Sequence, residues 1–488
     1  MKKNILIVLL FLVTLQISAQ QLDGPLKVHP ENGRYFTNNS GKAIYLTGSH
    51  TWANFQESKT PDEALFDYEA YLKMLKAHNH NFIRQWTWEH SKNASWTSNE
   101  VIFSPLPYKT VKKNGKEMYD VSQWNEAYFE RLRNRTKEAG DLGIYVSVML
   151  FQGWSQNRLK TPGSDPWEYH PLNPVNNING VGQSVKNNGF DDEKMGTLHS
   201  MNNGDVLAHQ EAYVKKVIET VNDLDNVLYE IINEGGTKKW QYHMVNLVKR
   251  MEKPMPKQHP VGMTHAVVVN PPMFNDDLWE SPADWISPTP EPISWMYKGT
   301  DYVQDYKNDP PANTGEKVII LDTDHLGGHW GTYMWAWKSF VRGHNPIFMD
   351  SWVPLAGNYD RKQSPGIFYI GGVTKNDADH PDYEPLRENM GQILELANRI
   401  DLVNMTPQDQ LCSTRFCLAN PGEEYVVYLP DGTGTLDLRD ANVEFEVEWF
   451  FPVLNRTIKG TETLKGGSYK AIVAPFTGAS VLYLKKKK

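Results

Sequence analysis

Two short segments place residue types suited to acid–base chemistry at the ends of apolar runs. The first reads Leu228-Tyr229-Glu230-Ile231-Ile232-Asn233-Glu234-Gly235-Gly236. A Glu at an apolar strand end, with a second carboxylate close by, meets the need for a carboxyl whose pKa rises until it can protonate a leaving oxygen. Glu234 is therefore the candidate catalytic acid/base. The Asn233 amide is the candidate donor to a sugar hydroxyl beside the reacting carbon, a contact that strengthens in the transition state. The bland alternative is a polar strand terminus leading into a turn.

The second segment reads Val318-Ile319-Ile320-Leu321-Asp322-Thr323-Asp324-His325. Asp322 is the first carboxylate after the apolar run and the candidate nucleophile, with Asp324 the alternative and His325 a substrate contact. Carboxyls about 5–5.5 Å apart give a covalent intermediate and retention, whereas a gap of roughly 6.5–9.5 Å admits water and gives inversion. Asp322, Asp324, His325 and His329 also form a competing metal-ligand reading. Gly327 and Gly328 loosen that stretch and no complete ligand motif is present, so neither metal nor cofactor is expected. Arg84, within Asn81-Phe82-Ile83-Arg84-Gln85-Trp86, is the candidate partner that keeps the nucleophile ionised. Its structural alternative is an ion pair with Glu230, because an unpaired buried charge is costly. His50, Trp52, Trp154 and Trp352 are candidate substrate contacts, with ordinary packing the competing reading for each.

Positioning these groups requires a scaffold of strand ends. Eight short apolar runs recur: Ile44–Gly48, Phe82–Trp86, Tyr145–Phe151, Val227–Ile232, Ala266–Val269, Asp284–Ser287, Val318–Leu321 and Pro346–Met349. Helical patterns lie between several of them. Thr60-Pro61-Asp62-Glu63 reads as a helix start, Val214, Val217, Ile218 and Val221 share one helical face, and Leu386–Ile400 reads as a last helix. Alternating strands and helices in this number predict an α/β fold, a (β/α)8 TIM barrel whose active face is built from the loops after the strands. Arg34-Tyr35-Phe36 and Ala43–Leu46 flank a turn and predict a hairpin ahead of it. Ser91–Ser122 and Ser155–Gly204 are long, patternless loops of the kind that shape a site.

Past residue 401 helical periodicity gives way to short strand-like runs at Tyr425–Leu429, Thr435–Leu438, Val443–Phe450, Lys470–Val473 and Ser480–Leu484. These predict a C-terminal antiparallel β-sandwich over 401–488, after a catalytic domain over 24–400. Lys2, Lys3, the apolar Ile5–Val13 and Ile17-Ser18-Ala19 read as a signal peptide over 1–19, so an exported protein, periplasmic or secreted, is expected. No later run is long enough to span a membrane. A net charge of −8 without an internal basic cluster argues against nucleic acid. Cys412 and Cys417 could close one small disulfide loop, with two free thiols as the alternative. The 16 Trp and 23 Tyr suit stacking on the flat C–H faces of sugars. A carbohydrate is the expected partner; a non-catalytic carbohydrate-binding protein and a metal-dependent hydrolase are the other readings.

Asn233-Glu234 together with Arg84, Asp322 and Trp352 resembles glycoside hydrolase clan A, whose barrels carry the acid/base Glu after Asn on strand four and the nucleophile on strand seven. More narrowly, Pro25-Leu26-Lys27-Val28-His29-Pro30 through Arg34-Tyr35-Phe36, and then Leu46-Thr47-Gly48-Ser49-His50-Thr51-Trp52, resemble apiosidase-like, cellulase-related proteins. Glu448-Trp449-Phe450-Phe451-Pro452 and Ala474-Pro475-Phe476 resemble the small C-terminal sandwich of that group, named for collagen binding, a name that does not establish the activity. The resemblance implies a cofactor-free glycosidase acting with retention on a plant- or algal-type polysaccharide. The clan's strand-seven residue is usually Glu. Asp322, one methylene shorter, sets its carboxyl roughly 1.5 Å further back.

Overall fold

The computed structural model describes residues 22–488 apart from 60, 62–63, 94–99, 154–164, 188, 267–268, 292–303, 329, 353 and 355–379. Eight strands form one parallel sheet: β1 (Gly48–His50), β2 (Phe82–Gln85), β3 (Tyr145–Gln152), β4 (Val227–Asn233), β5 (Val261–Thr264), β6 (Trp285–Ser287), β7 (Val318–Asp322) and β8 (Asn345–Met349). Neighbours follow chain order from β2 to β8, and β8 pairs with β1. The seam between β1 and β2 is tied by the Asn81 N–H donating to the Thr47 carbonyl at 3.0 Å. Among the described residues seven α-helices accompany the sheet: α1 (Tyr68–Ala77), α2 (Glu126–Asp141), α3 (Val206–Val221), α4 (Lys238–Glu252), α5 (Asn275–Trp279), α6 (Tyr333–Val341) and α7 (Tyr383–Ala397). This is the (β/α)8 barrel that the alternation predicts.

The barrel strands are buried on both faces, as a parallel sheet sheathed in helices requires. Side chains alternate between two destinations. Phe82, Tyr145, Leu228, Trp285, Val318, Ile320 and Ile347 share one cluster with Leu26, Phe36 and Ile44 of the N-terminal segment. Ile83, Val146, Tyr229 and Ile319 join the larger cluster with the helices. Two residues beyond Phe82, Leu228 and Ile320 stand Arg84, Glu230 and Asp322, so the same period that builds the apolar plug delivers charged groups above it.

Four expectations change. The fifth strand is Val261–Thr264, not Ala266–Val269; Val269–Asn270 pairs instead with Asp191–Asp192. Gly262 makes this strand look broken in the sequence, yet a Cβ there would lie 1.8 Å from the Trp285 ring, so the glycine is what lets the indole fill the barrel. The first strand begins at Gly48, while Ile44 bridges Phe36 in the N-terminal hairpin. Helix α1 starts at Tyr68, capped by the Asp67 carboxylate accepting from the Ala70 N–H at 2.9 Å. Of the expected start, Pro61 lies in a turn and Thr60, Asp62 and Glu63 lie outside the described residues. The loop at Ser91–Ser122 holds an antiparallel hairpin, Tyr108–Lys113 with Lys116–Trp124. The signal-peptide segment 1–19 is also outside the described residues, and no described helix is long and apolar enough to cross a membrane.

The C-terminal region is antiparallel: β9 (Thr406–Pro407), β10 (Cys417–Asn420), β11 (Glu424–Leu429), β12 (Thr433–Asp437), β13 (Glu444–Phe451), β14 (Arg456–Lys465), β15 (Tyr469–Val473) and β16 (Ser480–Lys486). Six strands form one sheet, while β12 and β15 form the second layer of a β-sandwich. Cys412 and Cys417 are buried and free, which corrects the disulfide expectation. Cys417 pairs along β10 opposite Val427, whereas Cys412 bridges Leu436 of the other layer and turns its Sγ to the Thr414 hydroxyl at 3.2 Å.

Candidate active site

Arg84 is the centre of the polar group at the carboxyl ends of the strands. Its Nε and Nη2 donate to the two oxygens of Glu230 at 2.8 and 2.5 Å. Nη1 donates to Asp322 Oδ2 at 2.7 Å and to Asp324 Oδ2 at 3.2 Å. Nη2 also donates to Asn233 Oδ1 at 2.8 Å. One guanidinium thus joins β2, β4 and β7. Both readings of Arg84, structural ion pair and neighbour of the strand-seven carboxylate, describe the same side chain.

Asp322 is fully buried. The His50 Nε2 lies 2.9 Å from Oδ2, and the Asp324 backbone N–H donates to Oδ1 at 2.9 Å. Burial alone would raise its pKa, but the charges of His50 and Arg84 outweigh it and hold Asp322 well below the usual carboxylate range. Asp324 behaves in the opposite sense. Burial, helped by the neighbouring Asp322 charge and opposed by Arg84, pushes its pKa up to about 6. The same pocket thus favours the charged form of Asp322 and the protonated form of Asp324. Their exposure differs as well: the Asp324 side chain is 9% exposed, that of Asp322 0%.

Asn233 is fixed from two sides. Its Oδ1 accepts from Arg84 and from His325 Nε2 at 3.1 Å, and His325 Nδ1 meets the Ser287 hydroxyl at 2.7 Å. Burial holds His325 well below its ordinary pKa, and a neutral ring donating from Nε2 and accepting at Nδ1 satisfies both contacts. The Asn233 oxygen is therefore committed, and its Nδ2 faces Gln152 Oε1 at 3.4 Å.

Glu234 follows directly and is buried, with a left-handed φ of 50°. Non-glycine residues rarely adopt that conformation, and such strain gathers at functional sites. The turn is packed rather than loose: a Cβ on Gly235 would lie 2.4 Å from the Gly153 Cα at the end of β3.

Residues 30–178 match the family described as the apiosidase-like catalytic domain. The matched stretch holds β1 to β3 with His50 and Arg84, and ends before Glu234 and Asp322. Over nearly the whole chain the fold is similar to a solved structure described as a glycoside hydrolase, with a TM-score of 0.59, 13% identity, 95% of this chain covered and 97% of that one. It is similar also to a family 5 glycoside hydrolase from Bacteroides vulgatus, with a TM-score of 0.58, 13% identity, and 95% and 94% covered. No curated protein matches the sequence.

The remaining expected contacts divide. His50 stacks on Trp86, with ring centroids 5.8 Å apart. Trp52 is buried in a cluster with Trp86, Trp88, Met149 and Met349, so it packs beside the site instead of forming an open wall. Trp352 is half-buried against the main core. Trp154 and His329 lie outside the described residues. Among the described residues no group of three or more His, Cys, Asp or Glu is arranged to hold a metal ion. Where the metal reading needed a cation between Asp322 and Asp324, the Arg84 guanidinium stands.

Sequence reasoning missed a second polar cluster. Glu89, four residues past the end of β2, accepts from the Gln152 backbone N–H at 2.8 Å and meets His199 Nε2 at 3.0 Å and His170 Nε2 at 3.4 Å. Asp191 Oδ2 lies 3.4 Å from the other nitrogen of His199. Burial opposes charge on this imidazole, but Glu89 and Asp191 raise its pKa to about 10. Burial would likewise raise Glu89, yet the histidines lower it to about 2. The one available signal was an acid shortly after a barrel strand; His199 and Asp191 sit in a loop without readable periodicity.

Proposed function

We propose that the protein is an exported glycoside hydrolase that cleaves a plant- or algal-type polysaccharide or its fragments with two carboxylates and no cofactor. The family match and the likeness of fold support a glycosidase. The observation that carries the reading is the Arg84 hub. It puts the strand-seven carboxylates and Asn233, the residue that precedes Glu234, on one guanidinium across the barrel.

Glu234 protonates the departing oxygen and then activates water. Asp322, held ionised by His50 and Arg84, attacks the anomeric carbon, and the glycosyl–enzyme ester is hydrolysed with net retention. Asn233, oriented by Arg84 and His325, donates to the neighbouring hydroxyl. Export rests on the signal-like segment over 1–19. Digestion of a polysaccharide panel, with NMR of the first-formed anomer, tests this reading. A retained anomer from one substrate class is expected; an inverted product would overturn the nucleophilic role, and no cleavage of any glycan would overturn the reading itself.

The greater exposure of Asp324 favours a second assignment, with Asp324 as the attacking group and Asp322 as its ionised support. Trapping with a fluorinated glycoside and peptide mapping decides between them. An ester on Asp322 is expected, and an ester on Asp324 reverses the pair.

A further inference from the structure

Four titratable groups beside the strand ends have no part in the chemistry above: the buried His170, Asp191 and His199, and Glu89, whose side chain is 10% exposed. Their contacts run in two directions and end on either side of Glu234. In one direction Glu89 accepts from the Gln152 N–H, and the Gln152 side-chain oxygen faces Asn233 Nδ2. In the other, His199 faces Asp191, whose Oδ2 accepts from the Gly236 N–H at 2.8 Å. The His199 carbonyl also accepts from the Thr237 N–H at 2.9 Å. The residue before Glu234 and the two residues after Gly235 are thereby reached from one charged cluster, and Glu234 itself holds a left-handed backbone.

We propose that Glu89, His199 and Asp191 are positioning residues that clamp the Asn233–Thr237 turn from both sides and so hold the Glu234 carboxyl at the departing oxygen. The proposal rests on Glu234 being the acid/base. His199 is the keystone, because its ring stands between the two carboxylates, Nε2 lying 3.0 Å from Glu89 and Nδ1 3.4 Å from Asp191. The titratable groups that face it are Glu89 from the β2 end and Asp191 from the loop after β3; the rings of Phe151 and Trp240 close its other sides. His170 shares the Glu89 carboxylate, its Nε2 lying 3.4 Å from the Oε2 that His199 Nε2 approaches at 3.3 Å.

A displaced acid penalises a leaving group in proportion to its need for a proton. The test therefore compares two substrates with the same sugar: the oligosaccharide cleaved in the panel digest and its dinitrophenyl glycoside, which departs without protonation. The enzymes are wild type, His199→Gln, Asp191→Asn and Glu234→Gln. His199→Gln and Asp191→Asn are expected to lose on the order of 100-fold in kcat on the oligosaccharide, the cost of a misplaced catalytic group. On the rate of dinitrophenol release in the first turnover they should lose less than about tenfold. Equal losses on both substrates, or no loss on either, would overturn the clamp, since a merely structural role lowers both alike. If Glu234→Gln itself shows no difference between the leaving groups, the acid/base assignment falls instead. Should His199→Gln fail to fold, the isosteric Asp191→Asn decides alone.

Discussion

At the scale of single residues, one guanidinium faces three carboxylates, and Asp324 is where the imbalance is relieved. Its pKa is raised, so its protonated form is favoured by the fold. The stability it contributes is complete below the ordinary value of 3.8 and is lost as pH rises through about 6. Wild type should therefore lose melting temperature relative to Asp324→Asn between about pH 4 and 7, as thermal unfolding across a pH series would show. A parallel pair of curves would remove Asp324 as the titrating group. Arg84→Ala leaves buried carboxylates uncompensated and should cost about 3–5 kcal/mol. Arg84→Lys keeps the charge but loses the planar fork, so chemical denaturation should place it between that variant and wild type. The sequence revealed this hub in part: the strand period set Arg84, Glu230 and Asp322 on inward positions. It ranked Asp322 ahead of Asp324 only by its place as the first carboxylate after the strand; the His50 contact from β1 that sets the two apart had no signal in the sequence.

Among elements, the strands legible in the sequence are those whose apolar runs match their buried length, as β4 and β7 do. β5 was hidden because Gly262 serves a neighbour's bulk instead of its own strand. Gly262→Ala should drive its new methyl into Trp285 and cost about 1–3 kcal/mol or more, measurable by urea unfolding. An unchanged midpoint would mean that the indole has room to move. The loops after β2 and β3 were illegible for another reason. Apart from the hairpin of Tyr108–Lys113 with Lys116–Trp124, their order comes from side chains meeting across long sequence distances, as Glu89 meets His199. The pH dependence of that pair has a sign. His199 stabilises fully below its ordinary 6.5 and loses this as pH rises toward 10, while Glu89 stabilises fully above 4.5 and loses this as pH falls toward 2. The deficit in melting temperature of His199→Gln should thus be greatest between pH 4.5 and 6.5 and should shrink in strong alkali. A deficit independent of pH would leave His199 a packing residue only.

For the whole molecule, one apolar cluster runs from the barrel helices into the sandwich, which also keeps a core of its own between its two layers. Phe416, Leu418, Val426, Tyr428, Phe450, Val481 and Tyr483 belong to the same cluster as α6 and α7, and the Trp337 and Phe450 rings lie 5.2 Å apart. Asn389 donates to the Pro452 carbonyl at 3.0 Å, and Arg342 meets Asp409 across the same boundary. The sandwich was legible from its alternating runs, but this shared face was not, since no pattern within either part names its partner. Trp337→Ala should cost about 3–5 kcal/mol and destabilise both parts in a single transition. Two separate transitions in calorimetry would contradict a common core. With both cysteines free, reductant should leave the melting temperature unchanged. The function proposed for all of this scaffold depends on one carboxyl. The most direct measurement is turnover of the panel-identified oligosaccharide by Glu234→Gln at an unchanged melting temperature. A fall of roughly 10²- to 10⁴-fold is the expected result for a lost general acid, and full retained activity would contradict the account.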